Sequence, residues 1–131
     1  MAGQAEDAKA MVQQALDMFK DKGKKVTLEA VNDKNGPFVK GDIYLFAMST
    51  SGVVMAHPVD HTIRRLNLMN FKDGNGTPFV QQFTEIVQGS GEGWVDYLWA
   101  RGGSQKQSKK RTYVKTVPGE DLYIGAGYYL D

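Results

Sequence analysis

Over the first thirty residues of this chain, apolar positions return every three or four places. They are Ala8, Met11, Val12, Ala15, Leu16 and Phe19, with Gln, Asp and Lys between them. That spacing predicts an amphipathic helix from Ala5 to about Lys22 with one buried face. Gly23 follows a lysine-rich last turn and ends it; Val26 to Val31 form a second helical stretch before "NDKNGPF" turns the chain. The period then changes. "DIYLFAMS" is apolar on both parities, with Ile43, Leu45 and Ala47 on one side and Tyr44, Phe46 and Met48 on the other. It predicts a strand covered on both faces. A turn at Ser51-Gly52 in "TSGVVMAHP" returns it as a hairpin.

From His61 to Pro78 the chain is irregular or short-helical, with turn signals at Asp73-Gly74 and Asn75-Gly76. In "PFVQQFTEIVQG", Phe79, Val80, Phe83, Ile86 and Val87 make a helical stripe that Pro78 opens and Gly89 closes. Three strands finish the chain: "GWVDYLWA", "RTYVKTV" after a polar loop, and "LYIGAGYYL" after a turn at Pro118-Gly119. Their connections are too short for parallel crossovers, so they predict an antiparallel meander. The fold class is α+β: a five-stranded antiparallel sheet with the N-terminal helical region (5–31) on one face. The sheet and its insert span 42–131, and the helical insert (57–89) covers the other face. An irregular insert over a sheet is a natural site for a cavity lined by aromatic side chains.

Composition mostly excludes. A length of 131 residues fits one domain, and 41% hydrophobic with 24% charged residues argues against extensive disorder. A net charge of +1 supplies no field for nucleic acid. No apolar run approaches the roughly 20 residues that cross a bilayer. The absence of Cys removes disulfides, thiol nucleophiles and thiolate metal sites together. "MAGQAEDAKAM" lacks the basic and apolar parts of a signal peptide, and fits a small-residue tail left after signal removal, with Met1 added.

The candidate chemistry is sparse. "KKRTYVKTV" sets three positive charges, Lys109 to Arg111, before an apolar strand. They are either solvated, as Lys and Arg usually are, or one reaches inward to a ligand. Tyr44 and Phe46 share a face and would form a cavity floor, or equally plain core. Tyr97 and Trp99 share parity while Trp94 lies on the other face. His57, at the end of the second strand, offers a neutral imidazole that can donate to a ligand and change charge near neutral pH; the alternative is a His bonded to backbone at a strand end. His57, Asp60 and His61 do not complete a metal site, because Pro58 breaks any helical pairing and no third His or Cys exists. "GSGEG" and "GAG" lack the Lys-Ser/Thr ending of a phosphate loop, and no Gly-x-Ser-x-Gly elbow is present. Gly125 and Gly127 share a face and leave room for a covering helix or a ligand. No metal or cofactor is expected.

In order along the chain, "NGPFVKGDIYLFAMSTSGVVMAHP", "DGNGTPFVQQF", "GWVDYLW", "KRTY" and "YIGAGYYLD" resemble the motifs of the single Cache sensor domain family. The match runs from about Leu28 to Asp131 and is specific as an ordered set. The resemblance implies a single Cache domain over 1–131, PAS-like, in the periplasm or extracellular space. It further implies the input module of a chemoreceptor or histidine kinase, binding small metabolites, often short carboxylates, between sheet and insert. Lys110 and Tyr113 match the family's Lys-x-x-Tyr, and Trp99 stands where the family carries an aromatic. An ammonium with a phenol would orient a carboxylate in an apolar pocket. In a regular strand, however, Lys110 and Tyr113 point to opposite faces, while Arg111 shares Tyr113's face. Either Lys110 lies just before the strand, at a bulge, or Arg111 is the anion partner. Where the family often has a Pro-rich loop, this chain reads "ARGGSQKQSKK".

The expected function is a non-enzymatic, extracytoplasmic sensor domain used in chemotaxis or two-component signalling, with Tyr44, Phe46, His57, Trp99, Lys110, Arg111 and Tyr113 as candidate ligand contacts. The expected partner is a small molecule, a short carboxylate in preference. No nucleic acid is expected, a homodimer is compatible, and the membrane is reached only through a receptor outside this chain. Rival readings are a stand-alone periplasmic binding protein without signalling, a small α+β enzyme using His57 with Tyr113, and a structural or dimerisation module whose pocket its own side chains fill.

Overall fold

Two helical runs open the chain, joined at a glycine. The computed structural model describes residues 3–101 and 106–130. Helix α1 (Gln4–Asn32) buries Ala8, Met11, Val12, Ala15 and Phe19 from its first run and Thr27 and Val31 from its second. Between the runs Gly23 takes φ 86°, a left-handed value that suits glycine, and the axis kinks there. The Thr27 hydroxyl donates to the Gly23 carbonyl at 2.8 Å, satisfying an acceptor that the kink leaves over.

The strands are β1 (Val39–Lys40), β2 (Ile43–Ser49), β3 (Val54–Ala56), β4 (Glu92–Ala100), β5 (Gln107–Thr116) and β6 (Leu122–Tyr129). A short 3-10 turn (His61–Ile63) and helix α2 (Phe79–Gly89) lie between β3 and β4. The sheet is antiparallel, in the order β1-β2-β6-β5-β4, with β3 also paired to β2. Five strands and the closing meander match expectation; the two-residue β1 is a sixth that the turn-rich "NGPFVKG" conceals. The register Leu45↔Ala126 sets the first hairpin beside the last strand.

Period-2 alternation divides the side chains between two cores. Ile43, Leu45 and Ala47 join Tyr113, Leu122, Ile124 and Ala126 beneath α1. Tyr44, Phe46 and Met48 join Val95, Tyr97, Val114 and Tyr123 beneath α2. β2 is buried on both faces, as its apolar composition on both parities requires. Fully burying one such side chain contributes about 1.5–3 kcal/mol, so each layer is held mainly by a few large residues.

Candidate functional site

The same parity builds a cavity under the insert. β2 contributes Tyr44, Phe46 and Met48 to it, β4 contributes Tyr97 and Trp99, and β5 contributes Lys110. Ile63, Leu68, Phe79, Val80 and Phe83 close it from the insert, with Val54 and His57 at one end. About 30 Å³ is open to the centre of a water-sized sphere. A single water needs roughly 10–15 Å³ on that measure, so the space suits a few heavy atoms.

Two aromatic residues of α2 hold the insert against the sheet. Phe79 stacks on Tyr97 at 4.5 Å between ring centroids, and Phe83 meets Phe46 at 5.7 Å and Tyr123 at 6.3 Å. The loop before α2 is held by Asp73. Its Oδ1 accepts from the backbone N–H groups of Asn75 and Thr77 at 2.9 and 2.8 Å, and its Oδ2 from that of Leu98 in β4 at 2.7 Å. Burial raises this carboxyl's pKa, but the backbone donors of Leu98, Thr77 and Asn75 together outweigh it and hold the pKa below the ordinary value. Asp73, Gly76 and Phe79 are thus one anchoring device: an acid for the β4 edge, a turn, and a ring for Tyr97.

Lys110 is the charged member of the cavity. It is 1% exposed. Its Nζ lies 4.1 Å from the Tyr44 ring centroid and 5.4 Å from that of Tyr129. Aromatic faces stabilise a desolvated cation by roughly 2 kcal/mol, less than the several kcal/mol that removing an ammonium from water costs. Burial accordingly pushes the Lys110 pKa down to about 7, against the opposing field of Asp42. Gly127 gives the side chain its path across the sheet, because a Cβ there would fall 2.9 Å from Lys110 Cε and 2.7 Å from the Arg111 carbonyl oxygen.

His57 is also buried against Tyr44, with ring centroids 4.9 Å apart. Its Nδ1 accepts from the backbone N–H groups of Val59 at 3.2 Å and Asp60 at 2.9 Å. A nitrogen that accepts two N–H bonds carries no proton, so the neutral ring is protonated at Nε2. Burial and then the charge of Lys110 push its pKa down to about 3. The expected change of charge near neutral pH is therefore corrected: His57 stays neutral there, with its proton on Nε2. The backbone-bonded reading of His57 holds through Nδ1, and the same residue lines the cavity.

His57 also reaches the N-terminal helix. Its N–H donates to Asn32 Oδ1 at 2.9 Å, and its carbonyl accepts from Arg64 Nε at 3.0 Å and Nη2 at 2.8 Å. The same Nη2 donates to the Asn32 carbonyl at 3.1 Å. Arg64 thereby joins the cavity wall to the last residue of α1.

Of the seven candidate contacts, Tyr44, Phe46, His57, Trp99 and Lys110 come together around the cavity. Arg111 and Tyr113 do not. β5 begins at Gln107 and pairs with β4 in unbroken register from Gln107 to Lys115, so Lys110 lies inside a regular strand and no bulge precedes it. Alternation then sends Arg111 and Tyr113 to the opposite face. Arg111 is half exposed and grips Asp96 with Nε at 2.7 Å and Nη2 at 2.9 Å. Tyr113 packs against Trp94 at 5.2 Å under α1 and donates its hydroxyl to Glu92 at 2.7 Å. His61 lies exposed in the 3-10 turn. Among the described residues no three His, Asp or Glu side chains converge to hold a metal ion. Residues 102–105 of the "ARGGSQKQSKK" loop lie outside the described residues.

A kinked helix behind a sheet, an insert in front and a small cavity between them find a match among known proteins. The family model for the Cache domain matches residues 4–131. The chain belongs to the Cache domain family. Cache domains are sensor and ligand-binding modules that lie outside the cytoplasm. A periplasmic sensor domain of a chemotaxis protein is 25% identical to this Cache domain, with 96% of this chain and 90% of that one covered at a TM-score of 0.79. A methyl-accepting chemotaxis protein from Vibrio parahaemolyticus RIMD 2210633 superposes at a TM-score of 0.82 with 23% identity, over 98% of this chain and 89% of its own. A Cache chemosensory domain described for carboxylic acid recognition does so at 0.77 with 19% identity, over 95% and 87%. At these last two identities the likeness is one of fold. Among the described residues no helix is long and apolar enough to cross a membrane.

Proposed function

We propose that this Cache domain binds a short monocarboxylate in the cavity under its insert and serves as the input of a chemotaxis or two-component receptor outside the cytoplasm. The observation that carries this reading is one buried lysine amine, Lys110, at a largely apolar cavity with room for a few heavy atoms. An anionic carboxylate would meet Lys110 Nζ, and the neutral His57 would add a hydrogen bond from Nε2. Tyr44, Phe46 and Trp99 would wall the remainder. Among the described residues the lining contains no Asp or Glu, so the ammonium of an amino acid or amine would be buried without a partner. Among the same residues it contains one Lys and no Arg, which leaves the second charge of a dicarboxylate unpaired. A ligand touching both the insert and His57 would favour the arrangement in which Arg64 grips Asn32, and so bias α1. The bias can be no larger than the ligand's differential affinity for the two states.

The test is a thermal-shift and calorimetric screen of acetate, propionate, pyruvate and lactate against amino acids, amines and dicarboxylates. A bound acid at about 100 times its Kd raises stability by roughly 2.7 kcal/mol. The expected result is a shift with at least one short monocarboxylate, lost in Lys110→Met while that variant still unfolds cooperatively. No shift with any acid, from protein shown to carry no ligand, would falsify the reading.

A further inference from the structure

We infer that the cavity takes its ligand together with a proton: the carboxylate binds as the anion while the Lys110 amine becomes an ammonium, so the sensor reads anion and proton concentrations jointly. This rests on the monocarboxylate reading above.

The geometry behind it is the set of groups that face Lys110. From β2 come the Tyr44 ring and, just before the strand, Asp42; from β6 comes Tyr129. β4 presents Tyr97 and Trp99, the end of β3 presents His57, and α2 presents only Phe79, Val80 and Phe83. On the other side, Asp73, Asp96 and Lys109 share a surface cleft with Lys110. None of these acids is poised as a close counter-ion. Asp73 is committed to three backbone N–H groups and Asp96 to Arg111. Asp42 is largely exposed and pairs with Arg101 Nε at 3.1 Å, while Arg101 in turn covers the Tyr129 ring at 4.6 Å.

An amine so placed is balanced between two states. Desolvation favours the neutral form, while the tyrosine faces and the field of Asp42 favour the charged form. The balance falls at about 7. The other titratable groups of the lining do not compete in that range. His57 is held near 3, and burial raises the tyrosines, Tyr44 and Tyr97 among them. A carboxylate set against Nζ supplies an attraction that only the ammonium can use, so binding raises the Lys110 pKa and draws one proton from solvent onto the amine nitrogen. No other bond forms or breaks, and the ligand remains an anion. Above the free-state pKa, the apparent affinity then falls about tenfold for each unit of pH until the bound-state pKa is reached.

The experiment is calorimetry of the whole chain with propionate and with pyruvate, at about pH 8, in phosphate and in Tris, whose ionisation enthalpies differ widely. Proton uptake makes the observed enthalpy differ between the buffers, in proportion to the protons taken up, and raises Kd about tenfold from pH 7.5 to 8.5. Lys110→Arg keeps a charge that does not titrate; if it binds, its Kd should be flat over the same range. Binding with equal enthalpy in both buffers and a constant Kd overturns the proton coupling and leaves the ligand reading standing. A pH slope that survives unchanged in Lys110→Arg overturns Lys110 as the proton site. If Lys110→Arg does not bind, the two-buffer comparison on the wild-type chain decides alone. No binding of any short acid at about pH 6, where Lys110 is charged, overturns the ligand reading and this inference with it.

Discussion

Lys110 shows how one position can cost a fold stability and supply its chemistry. In the unfolded chain its ammonium persists to about 10.5, whereas in the folded chain it is lost through about 7. Between those values the unfolded state binds more protons, so the stability of the ligand-free protein should rise with pH through that window. His57 acts in the same sense lower down, between about 3 and its ordinary 6.5. Urea midpoints from about pH 5 to 10 test both. Lys110→Met should raise ligand-free stability by on the order of a few kcal/mol below pH 7 and remove the upper rise. A flat midpoint from pH 7 to 10, or an unchanged slope in the variant, contradicts the burial argument. The choice of Lys110 over Arg111 was not legible locally. "SKKR" reads as loop by composition, and a strand pattern cannot show where pairing begins. Once β4 extends pairing back to Gln107, alternation decides which cation faces inward.

At the scale of elements, the insert depends on a few anchors. Asp73→Ala leaves three backbone N–H groups short of their acceptor, which costs about 1–3 kcal/mol. Hydrogen exchange should quicken at Asn75, Thr77 and Leu98 before it does so in the sheet. Asp73→Asn should recover part of this, because an amide oxygen can keep the loop bonds while its NH₂ opposes the Leu98 N–H. Equal exchange in wild type and Asp73→Ala would show that the aromatic stack of Phe79 on Tyr97 suffices. The clamp of Arg64 on His57 and Asn32 makes a separate prediction. A bound monocarboxylate should slow exchange over residues 26–32 of α1, and Arg64→Ala should abolish that effect while sparing binding. Persistence of the effect in the variant assigns the coupling elsewhere. The turn chemistry around Asp73 is visible in sequence as Asp-Gly-Asn-Gly. The clamp is not, because Asn32 and Arg64 lie far apart in the chain and each reads as an ordinary surface residue.

At the scale of the whole molecule, one sheet separates a packed core from a cavity. The α1 side is filled by aliphatic side chains and alanines together with Phe19, Phe38 and Tyr113. The α2 side is dominated by stacked and edge-to-face rings around the cavity, with Phe46 and Lys110 occupying the space that Gly125 and Gly127 leave. Local pattern determined much of this by itself. Helix stripes, a strand apolar on both parities and connections too short for crossovers are properties of neighbouring residues, and they were enough for the α+β class, the meander and the aromatic face of β2. Only the tertiary structure decided that β6 lies beside β2, that Lys110 faces the cavity while Arg111 and Tyr113 do not, and that His57 stays neutral near pH 7. Each of these depends on strand pairing or burial between residues far apart in sequence. A backbone pattern records which side chains share a face, but the pairing fixes its phase, and the desolvation that sets a pKa comes from whatever packs above.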